Sequence, residues 1–269
     1  HSVMNRVADV LEPLNISSRP VMDYDAAQDI HVASNQDIRC HKNDWTMFDT
    51  AAAFLRERSS ENTSNNERPF FLCLNPGLVH AAFHTNQYWI DKIPEELIDV
   101  PPLDESGHPA DIYQRKSKGW RHGFDDATVR KVRRIYFAMC AEADAMIGEL
   151  FSSLSNCGLS DNTTVIFSSD HGELAMEHQQ YYKMSHFEAS ARVALIMAGP
   201  GIAQGQKIDT PVSLIDMAPT ICELGELPLR DNFSGESLMP VARGDTAEIR
   251  GWALSMYCGI TSNTISYML

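Results

Sequence analysis

Apolar positions recur along this chain in two rhythms, and the rhythms divide it into elements. The run Asp44-Trp45-Thr46-Met47-Phe48 opens an amphipathic stretch that predicts a helix over residues 44 to about 58, with Asn43 or Asp44 as its cap. A longer helix is predicted from residue 128 to about 154, where Ile135, Met139, Met146, Ile147 and Leu150 form one stripe at helical spacing. Other apolar runs are short and continuous. Arg68-Pro69-Phe70-Phe71-Leu72-Cys73-Leu74-Asn75 reads as a buried strand entering a loop at Pro76 and Gly77. Thr164-Val165-Ile166-Phe167 and Arg192-Val193-Ala194-Leu195-Ile196-Met197 read likewise, because β-branched and aromatic side chains suit a covered, pleated surface. Residues 211–220 predict a strand passing into a helix that ends at Leu224 or Gly225, with Asp216 as N-cap, and residues 252–257 and 265–269 predict two final strands.

Breakers and polar tracts fill the intervals. Residues 1–43 are irregular around Pro13 and Pro20, and residues 59–67 form a polar surface loop. Residues 91–125, with Pro101-Pro102 and His108-Pro109, predict a long loop on the substrate side. Lys116, Lys118, Arg121 and His122 in its second half form a positive cluster for an anionic sugar or simply a solvated face. Glu142 and Asp144 on the long helix lie two residues apart and so do not share a face; the expectation is a solvated or capping role for both.

Composition narrows the classes. The chain has 269 residues, enough for one large domain or two small ones, with 43% apolar and 22% charged residues. A net charge of −14 disfavours nucleic acid or an anionic membrane as partner, so any anion site needs locally grouped cations or a metal. No apolar run approaches the roughly 20 residues that span a bilayer. The opening His1-Ser2-Val3-Met4-Asn5-Arg6 lacks a signal-peptide core and an initiator Met, and the expectation is a piece cut from a longer chain. Six scattered cysteines with no C-x-x-C pair fit neither a disulfide framework nor a zinc site; Cys73 and Cys140 read as buried thiols. Sequons at Asn15, Asn62, Asn162 and Asn232 tilt the compartment towards lysosomal or secreted.

The candidate chemistry lies where the 164–167 run ends in Ser168-Ser169-Asp170-His171-Gly172. Ligands collect beyond the carboxyl ends of strands in open α/β sheets. Asp170 offers a hard anionic oxygen and His171 a neutral nitrogen, both suited to a divalent metal, and Gly172 lets the backbone turn away. Alone, Asp-His-Gly fits equally a turn-capping Asp beside a surface His. The continuation Glu177-His178-Gln179-Gln180-Tyr181-Tyr182-Lys183-Met184-Ser185-His186-Phe187-Glu188-Ala189-Ser190-Ala191-Arg192-Val193 decides between them. The whole run resembles the second signature block of the type I sulfatases of the alkaline-phosphatase superfamily, closest to their arylsulfatase K-like and choline-sulfatase-like branches.

That resemblance implies an α/β fold, an alkaline-phosphatase-like mixed sheet flanked by helices, here lacking the N-terminal strands. It implies Asp170 and His171 as ligands of one divalent ion, calcium, and Lys183 as a contact to the sulfate group. The 68–75 run would lead to a His that touches the sulfate or protonates the leaving oxygen. His80 is the first candidate and His84 the reserve, since the family usually shows His followed closely by Pro and here Ala81-Ala82 follow. The stretch 83–89 matches a later piece of the same pattern, and 1–7 resembles the stretch that closes the early metal-and-nucleophile portion. Residues 1–250 would then be the C-terminal portion of the catalytic domain, and 251–269 final strands leading toward a missing C-terminal subdomain.

The implied activity, in the full-length protein, is formylglycine- and metal-assisted cleavage of sulfate esters on sugars such as 2-sulfated uronates of glycosaminoglycans. The partner is a sulfated carbohydrate or small sulfate ester. A phosphodiesterase or phosphonate monoester hydrolase of the same superfamily, or a non-catalytic sulfated-glycan-binding relative, are the alternatives. Formylglycine arises from Cys or Ser in a C-x-P-S-R-like motif, and the contexts of Cys40, Cys73, Cys140, Cys157, Cys222 and Cys258 all fail to fit it. The nucleophile is therefore expected in a missing N-terminal part, and the chain alone is expected to be inert.

Overall fold

A computed structural model describes residues 30–62, 69–103, 111–112, 114–115, 118, 120, 123–258 and 265–269. In chain order its elements are β1 (Ile30–Ala33), α1 (Lys42–Asn62), β2 (Phe83–Asn86), α2 (Gln87–Ile90), α3 (Asp126–Asn156), β3 (Val165–Ser168), α4 (Glu188–Ala191), β4 (Leu195–Ala198), α5 (Met217–Leu224), α6 (Met239–Arg243), β5 (Ser255–Tyr257) and β6 (Ser266–Met268). The strands pair two by two among the described residues. β1 and β2 are parallel, with Ile30 opposite Phe83; β3 and β4 are antiparallel, with Val165 opposite Ala198; β5 and β6 are antiparallel, with Ser255 opposite Met268.

Two long helices organise the core. On α1, Trp45, Phe48, Ala51 and Leu55 recur every three or four residues and are buried, as an amphipathic helix requires. On α3, Val129, Val132, Ile135, Ala138, Met139 and Met146 do the same. Each large apolar side chain removed from water there contributes about 1.5–3 kcal/mol. Asp125 starts α3, its Oδ1 accepting the Thr128 backbone N–H at 2.9 Å. Phe83, Trp89, Trp120, Met176 and Tyr181 close the same cluster, and a smaller one gathers Leu55, Leu154 and Leu159 with Phe70, Leu72 and Val165.

Several expectations change. α1 begins at Lys42, and Asp44 sits inside its first turn rather than at its cap. The run read as a buried strand forms no strand over residues 69–75, and it is not fully buried. Phe70, Leu72 and Leu74 pack inward, while Phe71 is 69% exposed and Cys73 is exposed, so Cys73 is no buried thiol. One face of the run meets the helices and no described strand hydrogen-bonds to it. Cys140 is half-buried, and burial raises its thiol to about 11. β3 and β4 are one-sided too: Phe167 and Ile196, opposite each other in register, are exposed. Residues 211–213 form no strand; Ser213 and Asp216 build a capping box across a 3₁₀ turn that leads into α5. Asp216 is buried and also pairs with Arg250 at 2.5 Å, which gives it a structural role.

Glu142 overturns its expectation outright. It is 0% exposed, and its carboxylate accepts from the His41 backbone N–H at 2.9 Å, the His41 Nδ1 at 2.7 Å and the Trp45 indole N–H at 2.8 Å. Asp144, on another face, is exposed as expected. Lys118 is fully buried instead of solvated, and Trp120 is buried in the stretch read as an open loop. Lys116, Arg121 and His122 lie outside the described residues, as do residues 1–29 with their sequon at Asn15. Asn162 and Asn232 are exposed, as glycan acceptors would need to be.

Candidate active site

The turn after β3 carries the first two residues. Asp170 is 86% exposed on its side chain, and its Oδ1 accepts the His171 backbone N–H at 3.0 Å. Its Oδ2 lies 3.6 Å from His171 Nε2, so carboxylate and imidazole face one common point. His171 Nδ1 lies 2.9 Å from the Gly172 carbonyl. A carbonyl only accepts, so Nδ1 carries the hydrogen and Nε2 keeps its lone pair, the tautomer a metal ligand needs. Oxygen and nitrogen donors at this separation suit a divalent cation.

Gly172 is required for close approach rather than for the turn. An added Cβ would stand 2.1 Å from the Ala189 carbonyl oxygen, and the Gly172 N–H donates to the Ser190 carbonyl at 2.8 Å. Ser190, itself buried, turns its hydroxyl to the Lys183 carbonyl. One residue of α4 thus ties the Asp-His turn to the backbone of Lys183.

Between them, residues 173–182 form a loop closed by Glu173. Its Oε1 accepts the backbone N–H groups of Ala175 at 3.1 Å and Tyr182 at 2.5 Å, and the Leu174 N–H donates to the Tyr182 carbonyl at 2.9 Å. Ala175, Met176, His178, Gln179 and Tyr182 all take positive φ, so the loop is held in backbone conformations rare for such residues. Burial pushes the Glu173 carboxyl up, opposed by those two N–H donors and by nearby Lys183 and His80. Behind the loop, Lys118 holds its ammonium 4.9 Å from the Trp120 ring and 3.5 Å from the Met184 carbonyl. Burial lowers that amine to about 8, against the pull of Glu173.

The fourth residue comes from far away in sequence. His80 Nε2 meets Lys183 Nζ across 103 residues, and the His80 and His171 rings are 5.9 Å apart, edge to face. His80 Nδ1 faces the Ala81 carbonyl at 2.5 Å and so bears a hydrogen, which leaves Nε2 to accept from Lys183. His84 lies elsewhere, exposed on β2 with its ring 5.9 Å from His31. Asp170, His171, Lys183 and His80 are therefore brought together, and His84 is not. The arrangement can present a cation, an ammonium and an imidazole to one anionic group. A different ligand-type cluster, Cys40, His41 and Glu142, brings its atoms within 4.8 Å, but both Glu142 oxygens are already taken by N–H donors.

Sequence reasoning missed Asp44, Glu173 and Ser190 as supports of this site. Glu173 and Ser190 lie inside the motif stretch, whereas nothing local marks Asp44, which contacts residues 33 and 34 positions away.

Comparison with known proteins places these residues in context. The family model described as Sulfatase matches residues 18–227. Arylsulfatase K from Canis lupus familiaris and from Homo sapiens are each 36% identical over 296 residues, covering 100% of this chain and 53% of each relative. The chain thus spans about half the length of the relatives it matches. Among solved structures, a protein in complex with its substrate D-glucosamine-2-N,6-O-disulfate superposes with a TM-score of 0.59 at 18% identity, over 79% of this chain and 56% of that one. A phosphonate monoester hydrolase from Silicibacter pomeroyi gives a TM-score of 0.56 at 22% identity, over 77% and 44%. The α/β, alkaline-phosphatase-like architecture expected from the sequence is the fold these neighbours share.

Proposed function

The chain belongs to the sulfatase family, and from that premise we propose that it is the later part of a catalytic domain that hydrolyses sulfate esters of sugars. The observation that carries this reading is the meeting of Lys183 with His80 beside the Asp170–His171 pair. Asp170 and His171 would hold a divalent ion, calcium by the family's chemistry. The chemistry a bound ion supplies there is neutralisation of the growing charge on the non-bridging sulfate oxygens. The nucleophile is not assigned to any residue of this chain.

The chain's own residues do the rest. Lys183 places a fixed ammonium against one sulfate oxygen, and its position is set by Ser190 and the Glu173 clasp. When His80 also carries a proton on Nε2, in place of the one it accepts there from Lys183, it delivers that proton to the oxygen of the departing alcohol and returns to the neutral tautomer described above. The likeness to arylsulfatase K supports a 2-sulfated uronate of a glycosaminoglycan as substrate, and the sequons support a lysosomal or secreted setting.

Lys183→Ala in the full-length protein is expected to lower kcat/KM on an aryl sulfate by about 10²–10³, the usual loss when one charge-stabilising contact is removed. Its thermal midpoint should be unchanged. Wild-type activity in that variant, or faster turnover of an aryl phosphate diester than of the aryl sulfate by the parent enzyme, would overturn the reading.

A further inference from the structure

Asp44 is a buried carboxylate with an unusual assignment. An acid in the first turn of a helix ordinarily answers that helix's own N–H groups and its dipole. Asp44 instead reaches out of α1 and holds a loop. Its Oδ1 accepts the Gly77 backbone N–H and its Oδ2 the Leu78 backbone N–H, each at 2.9 Å. The turn continues with the His80 N–H donating to the Gly77 carbonyl at 2.9 Å. From Asp44 to the backbone of His80 there are thus three hydrogen bonds, and His80 then meets Lys183.

The grip has a rigid base. Trp45, next in sequence, and His41, at the start of α1, are both fastened to Glu142 in the middle of α3. The fixed direction runs from the buried face of α3, through the first turn of α1, to the His80 loop. Only a carboxylate serves at this point. It offers two acceptor oxygens and no hydrogen, whereas an amide would set N–H against N–H at one of the two contacts. A charge-assisted grip on two successive amides fixes the loop in direction as well as position.

We propose that Asp44 is a positioning residue for His80, holding the imidazole where its Nε2 can protonate the leaving alcohol. The proposal rests on the reading of His80 as general acid given above. Such a step matters when the leaving group is poorly acidic and little when it is a stabilised phenolate. A displaced acid therefore shows itself in the ratio of two substrates. Fraction of folded enzyme cancels from that ratio.

The full-length protein, its His80→Ala variant and its Asp44→Asn variant are assayed on a sugar sulfate and on 4-nitrophenyl sulfate. His80→Ala is expected to lose about 10²-fold or more in kcat on the sugar sulfate and only a few-fold on the aryl ester. Asp44→Asn should shift the ratio in the same direction by about tenfold, since a misplaced group retains part of its effect. The double variant should match His80→Ala alone, because Asp44 acts only through that ring. If His80→Ala leaves the ratio unchanged, the general-acid reading fails. If His80→Ala shifts the ratio while Asp44→Asn loses equally on both substrates, the positioning role is overturned. Should Asp44→Asn give no folded protein, Asp44→Glu, one methylene longer, is expected to shift the ratio the same way by less, and a wild-type ratio in it overturns the proposal.

Discussion

At the scale of single residues, Glu142 shows best how burial changes the meaning of a side chain. Its carboxylate receives three N–H groups and sees no water, so Glu142→Ala would leave the His41 and Trp45 donors without an acceptor. The expected cost is about 3–5 kcal/mol, seen as a lowered denaturation midpoint. The pair also imposes a pH dependence. Burial alone would lower the His41 pKa, but hydrogen bonds with Cys40 and Glu142 and their charge overcome it and raise the value to about 9 from 6.5. A raised folded-state pKa stabilises fully below the unfolded value and loses that contribution as pH climbs through the folded one. Stability should therefore fall by about 2–3 kcal/mol between pH 6.5 and 9.5, after allowance for the partly open ring. Thermal melts of Glu142→Gln across that window should be flatter than wild type; a parallel curve would rule the pair out as the cause. The spacing of Glu142 and Asp144 correctly set them on different faces, but which face is covered depends on His41 and Trp45, roughly 100 residues earlier. Periodicity reads one helix and says nothing of what packs on it. Asp44 reads from the sequence as no more than a helix cap for the same reason: its partners are backbone amides of a distant loop, which carry no residue identity.

At the scale of elements, the two long helices were legible because a 3.6-residue stripe is stored locally in the sequence. β3 to β6 were legible only as extended segments, while β1 lies in the stretch read as irregular and β2 in the loop that follows Pro76 and Gly77, so neither was legible. Phe70 to Asn75 alternates inward and outward where the continuous apolar run predicts burial throughout, and strand pairing is a property of two segments, so the run could not name its neighbour. The motif stretch behaves differently, since 170–193 holds both ends of its own construction. Gly172 meets Ala189 and Ser190, Glu173 meets Tyr182, and Ser190 meets Lys183. Gly172→Ala forces a methyl group onto a backbone carbonyl of α4, which cannot swing aside as a side chain can. The expected loss is about 1–3 kcal/mol of stability. It should also move Lys183 away from His80, so activity should fall by more than the folded fraction does. A variant whose activity tracks its folded fraction would show that the contact serves stability alone.

At the scale of the whole molecule, the proposed anion site is an exception to the chain's average charge. The net charge is −14, yet Lys183, His80 and the buried Lys118 converge around Glu173 on one small region. Such a site cannot depend on long-range attraction to gather a dianion, because the acidic surroundings oppose it beyond a Debye length of about 8–10 Å. Local cations must do so, and a divalent ion at Asp170 and His171 would be the strongest of them. Cation and sulfate should then favour each other, and the preference is reciprocal by linkage. The expected outcome is that millimolar Ca²⁺ and inorganic sulfate together raise the thermal midpoint by more than the sum of their separate shifts. A ligand at 100 times its Kd adds about 2.7 kcal/mol, and each kcal/mol moves the midpoint of a domain this large by about 2–4 °C. Asp170→Ala should abolish the Ca²⁺ shift and the synergy, while Lys183→Ala should abolish the sulfate shift and leave that of Ca²⁺. Additive shifts in the parent protein would mean that the two ions occupy separate places. The turn after β3 would then be no part of the sulfate site.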